Sequence, residues 1–201
     1  MNAAPTPRRT YTSDKRAAGA ADTQRRIIEA TISLYGQRFH DQITLEDIAE
    51  RAGVTVQTVL RKFGSRDGLL EAAGKFGAAE VGAQRGEAPV GDVPGIVENL
   101  FDHYEVLGAS VLRLLAQEDR VPVLANIAAR GRRMHREWVR VVFAPYLTGR
   151  SEAELLEAKL SAVTDVYVWK LLRLDFGLDR PKATTALVDL INAIVRNGGR
   201  S

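Results

Sequence analysis

The stretch that decides the fold is Thr44 to Phe63, TLEDIAERAGVTVQTVLRKF. Leu45, Ile48 and Ala49 recur at helical spacing, so Thr44–Arg51 is predicted to form a short amphipathic helix. Thr44 followed three residues later by Asp47 is a capping-box pattern, in which a hydroxyl satisfies a free N–H at the helix start. Ala52-Gly53-Val54 breaks that helix, and Gly53 can take the left-handed conformation a sharp turn needs. Thr55 caps a second predicted helix, Val56–Phe63, with Val59 and Phe63 facing inward. Two short helices joined by a glycine-bearing turn make a helix-turn-helix. The start of the second helix in such a motif enters the major groove, so Thr55, Val56, Gln57, Leu60 and Arg61 are candidate DNA contacts. Thr44, Lys62 and Arg66 sit at helix starts or ends beside the motif, where N–H groups and cations meet phosphates.

The flanks sharpen this reading. Upstream, Arg25–Tyr35 is amphipathic, with Ile27, Ile28, Ala30, Thr31, Leu34 and Tyr35 on one face. Downstream, Phe63-Gly64-Ser65-Arg66-Asp67-Gly68-Leu69-Leu70 follows at once. Residues 24–72 resemble the DNA-binding domain of the tetracycline-repressor (TetR) family, through Ile27, Ala30, Leu34, Thr44, Ile48, Ala49, Ala52-Gly53-Val54, Thr58, Phe63, Ser65, Asp67 and Leu69. Leu60 stands where that family often has a tyrosine whose hydroxyl meets phosphate, and Arg66 stands where lysine is usual, which keeps the charge.

Charge is distributed to match. Of 28 basic and 25 acidic side chains, residues 1–75 carry 12 and 9, and residues 76–201 carry 16 of each. The whole net charge of +3 therefore lies in the amino-terminal third, as expected of a part that meets phosphates. The absence of cysteine excludes disulfides and thiolate metal sites. No charge-free apolar run has membrane-spanning length and the first residues lack a signal-peptide core, so a cytoplasmic protein with no membrane partner is expected.

Residues 1–22, rich in Ala, Thr, Pro and Gly, read as a disordered basic arm carrying Arg8, Arg9, Lys15 and Arg16: a solvated tail or a DNA-tracking one. The DNA-binding domain with its linking helix is placed at 23–82. It comprises a first helix Thr23–Gln37, the motif, and a fourth helix from Arg66 to Gly82 whose glycines favour fraying. Arg85–Gly95 is predicted to be a boundary loop. The body, 92–198, reads as all helix, over Pro94–Gln117, Val121–Gly131, Arg132–Tyr146, Ser151–Phe176 and Pro181–Arg196. The fold class is all-α, a helix-turn-helix head followed by a helical ligand-binding and dimerisation body.

Three further sets of residues are singled out. His103, Tyr104, His135, Trp138, Asp165 and Trp169 are polar or amphipathic groups on apolar helices, candidates for ligand contact or satisfied core groups. Leu187, Leu190, Ile191 and Ile194 give the last helix an apolar surplus that points to a homodimer. Arg130, Arg132, Arg133, Arg136 and Arg140 read as a solvated or acid-paired face. His40, His103 and His135 form no metal pair at helical spacing and no serine nucleophile elbow is present, so neither an enzyme nor a cofactor is expected. The family resemblance implies a dimer on a near-palindromic operator in double-stranded DNA. It also implies a four-helix dimer bundle from the last two long helices of each subunit, and release by a small-molecule effector that shifts helix four. Few polar groups among many aromatics favour a hydrophobic or amphipathic effector over a strongly anionic one, because the basic residues cluster on faces expected to be wet.

Overall fold

Apolar residues three and four apart recur through most of the chain, and the computed structural model turns these runs into helices that share two separate cores. It describes the backbone of residues 10–149 and 151–197 and the side chains of 18–149 and 151–196. Among the described residues every regular element is helical. The chain divides between Ala73 and Gly74 into a head and a body, and α4 (Arg66–Arg85) begins in the first and ends in the second.

The head consists of α1 (Thr10–Tyr35), a 3-10 turn at His40–Gln42, α2 (Leu45–Ala52), α3 (Val56–Phe63) and the first turns of α4. Its core gathers Ile27, Ala30 and Leu34 of α1, Ile43, then Ile48, Ala49 and Ala52 of α2, Val59 of α3 and Leu69 of α4. Fully burying a side chain such as Ile27 or Ile48 stabilises the head by about 1.5–3 kcal/mol. The first helix is longer than expected. It runs back to Thr10, so residues 10–22 of the expected arm are helical, and residues 1–9 lie outside the described residues. Lack of apolar periodicity is the wrong criterion there. Ala17, Ala18, Ala20 and Ala21 are strong helix formers, and extending a nucleated helix needs no buried face.

The body contains the end of α4, then α5 (Val93–Leu115), α6 (Pro122–Val142), the single turn α7 (Ala144–Leu147), α8 (Ala153–Val163), α9 (Val166–Lys170) and α10 (Arg180–Asn197). α9 continues through a π turn at Leu171–Asp175. Phe101 and Leu100 of α5, Val139 of α6, Phe143, Leu160 of α8 and Leu187 and Ile191 of α10 form the fully buried centre. α5 packs against α9, α10 and α6, and α8 packs against α6 and α10.

Three boundaries differ from expectation. α4 reaches Arg85 instead of fraying at Gly82; at Gly74 the missing side chain permits close approach, since a Cβ there would lie 2.8 Å from Ile127 of α6. The two segments predicted at Val121–Gly131 and Arg132–Tyr146 are one helix, α6, since Gly131 costs only about 1 kcal/mol in a helix interior. The segment predicted as one helix from Ser151 to Phe176 is broken after Val163. Thr164 turns its hydroxyl back onto the Leu160 carbonyl at 2.7 Å, and Asp165 caps the next helix by accepting from Tyr167 N–H at 3.0 Å. α8 opens after Glu152, a cap residue without a side-chain bond. No helix among the described residues is long and apolar enough to cross a membrane.

Candidate nucleic-acid interface

Two caps set the geometry of the motif. Thr44 Oγ1 accepts from Asp47 N–H at 3.1 Å, and Asp47 Oδ2 accepts from Thr44 N–H at 2.8 Å and from its hydroxyl at 2.9 Å. These donors hold the Asp47 carboxyl below its ordinary range, with Arg38 at 3.5 Å adding to the effect. α2 stops at Gly53, which is left-handed at φ 64° and returns its N–H to the Ala49 and Glu50 carbonyls. Arg26 Nη1 donates to the Ala52 carbonyl at 2.7 Å, a cation at the negative end of α2. Thr55 Oγ1 then accepts from Thr58 N–H at 3.2 Å and starts α3.

α3 enters the head core through Val59, its one fully buried residue. Thr55, Gln57, Leu60 and Arg61 are exposed, and Val56 and Lys62 are half-buried. Leu60 leaves 39% of its surface in solvent, on the helix whose start the motif presents outward. Lys62 Nζ donates to the Ala20 carbonyl of α1 at 2.8 Å in an exposed setting, so a phosphate oxygen can replace that acceptor. Arg66 is placed differently from the phosphate contact that its position predicts. Its Nε donates to Tyr35 Oη at 3.2 Å and its Nη2 donates to the His40 carbonyl. Tyr35 Oη and His40 Nδ1 share a hydrogen bond at 3.0 Å. Burial pushes the Tyr35 phenol up and the His40 imidazole down. Arg66 therefore ties α1, the 3-10 turn and α4 together inside the head.

His135, Trp138 and Tyr104 meet around a residue that sequence reading assigned to a loop, Arg85. The Arg85 guanidinium lies 4.8 Å from the Trp138 ring centroid and 5.2 Å from that of Tyr104. Its Nη1 donates to His135 Nδ1 at 2.9 Å, and Trp138 Nε1 donates to the Arg85 carbonyl at 3.1 Å. Because Nδ1 accepts, His135 carries its proton on Nε2, which faces the Ser161 carbonyl at 3.1 Å. Desolvation, then the Arg85 charge, lower His135 to about 4 and the buried His103 to about 3. Tyr104 Oη donates to the Thr164 carbonyl at 3.0 Å. Trp169 joins this cluster through Tyr104, with 6.0 Å between ring centroids; its Nε1 donates to Glu105 at 3.1 Å and its ring covers Gly108. Asp165 is a helix cap, and its carboxylate is used on the backbone.

On the last helix, Leu187 and Ile191 are 1% and 0% exposed within one chain and belong to the body core. Leu190 remains exposed and Ile194 half-buried, and Leu171, Leu174 and Phe176, in the segment before α10, are exposed as well. In the basic stretch of α6, Arg132 pairs with Glu118 and Arg140 with Glu157.

A capped pair of short helices with the second left exposed defines the class: a helix-turn-helix DNA-binding protein. Residues 27–73 match the family model of bacterial regulatory proteins, tetR family. Those residues therefore carry a DNA-binding domain of the tetR type. No curated protein matches the chain. Solved structures share the fold over most of the length. A transcriptional regulator from Rhodococcus sp. Rha1 is 19% identical, with 87% of this chain and 96% of that one covered at a TM-score of 0.70. A putative transcriptional regulator from Pseudomonas aeruginosa PAO1 is 15% identical, covering 86% and 90% at 0.68. A putative TetR-family regulator from Rhodococcus sp. is 21% identical, covering 86% and 98% at 0.64.

Proposed function

We propose that the chain is a repressor that binds a near-palindromic operator as a homodimer and is released by a small hydrophobic or amphipathic ligand held in the body. The observation that carries the DNA-binding part is the exposed row Gln57, Leu60 and Arg61 on a helix fixed by caps and a single buried residue. Gln57 offers the donor and acceptor pair that adenine requires, Leu60 offers an apolar contact for a thymine methyl, and Lys62 is within reach of a phosphate. The exposed apolar residues before and on α10 support the dimer. α4 supports the coupling, because one helix begins in the head and ends at Arg85 in the body. Ligand binding that displaces the end of α4 alters the equilibrium between DNA-competent and released states only by its unequal affinity for them.

The test is selection of bound duplexes from a randomised pool by the full chain, followed by gel retardation of the enriched sequence. Two inverted half-sites are expected, their centres separated by about one helical turn or a multiple of it. Enrichment of no sequence, with no retardation of duplexes from the chain's own promoter region, removes the reading.

A further inference from the structure

Arg85 is a buried cation without an anion. It is 7% exposed, and among the described residues no carboxylate pairs with it. Four acids of the body are engaged elsewhere: Glu105 with Arg173 and Trp169, Glu118 with Arg132, Glu157 with Arg140, and Asp165 with the backbone of α9. Its surroundings are two aromatic faces and a neutral imidazole, and its Nε has no hydrogen-bond partner. The α4 C-terminus and the two rings offset part of this charge, but partial charges do not replace a counterion in a low-dielectric interior. Ser161 Oγ, on the residue whose carbonyl faces His135, is a second buried polar atom without a partner. Both neighbouring histidines are held neutral, as a site carrying unbalanced positive charge requires.

We propose that Arg85 anchors the body's ligand site and takes the carboxylate of a small organic acid whose apolar part lies among Tyr104, Trp138 and the aromatic residues beside them. This deepens the effector part of the proposed function and rests on it. The guanidinium edge carrying Nε matches the two oxygens of a carboxylate, a geometry that an ammonium does not offer. Trp138 stacks on His135 and meets Phe143 edge-on, so aromatic surface continues away from the charge. An acid with an aliphatic or aromatic body satisfies both parts. Because Arg85 is almost fully buried, an anion reaches it only when the packing around the end of α4 opens. Entry of the ligand and displacement of α4 are then one event. The sequence disfavours anionic effectors because its arginines are expected on wet faces, and among the described arginines Arg85 is the buried one.

The experiment titrates the full chain with octanoate against octanamide, and with phenylacetate against phenylacetamide. Binding is followed by calorimetry and by tryptophan fluorescence. Each acid is expected to bind at least about tenfold more tightly than its amide, the difference a charge-assisted bond makes over a neutral one. Arg85→Gln is expected to erase that preference and keep amide binding, with Arg85→Lys retaining part of it. Equal affinity for acid and amide in the unaltered chain, no saturable binding of either acid at millimolar concentration, or an undiminished preference in Arg85→Gln overturns the proposal. If Arg85→Gln does not fold, the acid–amide comparison on the unaltered chain decides alone. The readout contains no DNA. An Arg85-dependent preference for acids with operator affinity unchanged by ligand thus upholds the anion site while removing the effector role.

Discussion

Single side chains are expected to carry sequence preference, salt dependence and acid sensitivity separately. Gln57 is exposed on α3 with both amide groups available to a base edge. Gln57→Ala is expected to relax preference at one or two positions per half-site at a cost of about 1–3 kcal/mol, which repeated duplex selection measures. An unchanged selected sequence would limit Gln57 to phosphate contact. Lys62 is expected to act without regard to sequence, so Lys62→Ala lowers affinity for all duplexes and reduces the salt slope by about one unit. A shifted preference with the slope unchanged would refute that role. Acid sensitivity belongs to His103 and His135, held at about 3 and about 4 against an ordinary 6.5. The sign follows from where protons bind. The unfolded chain takes them near pH 6.5 and the folded chain does not, so stability is complete above 6.5 and falls as pH drops toward 4. With both groups contributing, the slope approaches roughly 2–3 kcal/mol per pH unit. Arg85, Arg136, Tyr104 and Asp165 are charged or titratable groups around the pair. Urea midpoints at pH 7 and pH 5 should differ accordingly, and a flat profile would show that the histidines are solvated.

At the level of elements, the contact between α5 and α9 offers the sharpest test of packing. Gly108 lets the Trp169 ring lie where a Cβ would come within 2.5 Å of it. Gly108→Ala gains helix propensity of about 1 kcal/mol and overpacks a buried indole, and the second effect wins because Trp169 is also held by Glu105. A net loss of about 1–2 kcal/mol in urea unfolding is expected, and a stabilised variant would show that the indole has room to move. Asp165→Ala should cost about 1 kcal/mol by removing the cap of α9. That cap also shows where the sequence was legible and where it was not. The head was readable because α2, its turn and α3 are determined locally: Thr44, Asp47, Gly53 and Thr55 form the bonds that their types and spacing imply. The break at Thr164 was hidden inside a run of apolar residues with helical period, where a threonine turning back on its own helix leaves no mark in periodicity. Arg85 was missed for a similar reason. An arginine beside a glycine- and proline-rich stretch reads as a loop residue, and its burial depends on Tyr104, Trp138 and His135 from two distant helices.

For the whole molecule, the balance of apolar surface decides between one chain and two. The body covers its own centre well, with Ala183, Leu187 and Ile191 of α10 fully buried. A chain ending at Asp179 would lose those residues from the core, so its failure to dimerise would report unfolding. Leu174 and Phe176 are better probes. They are 56% and 73% exposed, contribute nothing to the core, and end the segment leading into α10, near the exposed Leu190 in sequence. Exposed groups of this size seldom stay in water when a symmetric partner can cover them. Leu174→Asp combined with Phe176→Asp should therefore keep the helical signal and the thermal transition of the parent while converting a dimer to monomer in sedimentation. Operator affinity should fall with it. A dimer places its second head at high effective concentration once the first is bound, which strengthens binding by about 10²–10⁴ over one head alone. The double variant should lose a factor of that order on a two-half-site duplex and almost nothing on a single half-site. A parent chain that sediments as a monomer at micromolar concentration would remove the dimer. A double variant still dimeric and still tight on the full operator would place the interface on another face.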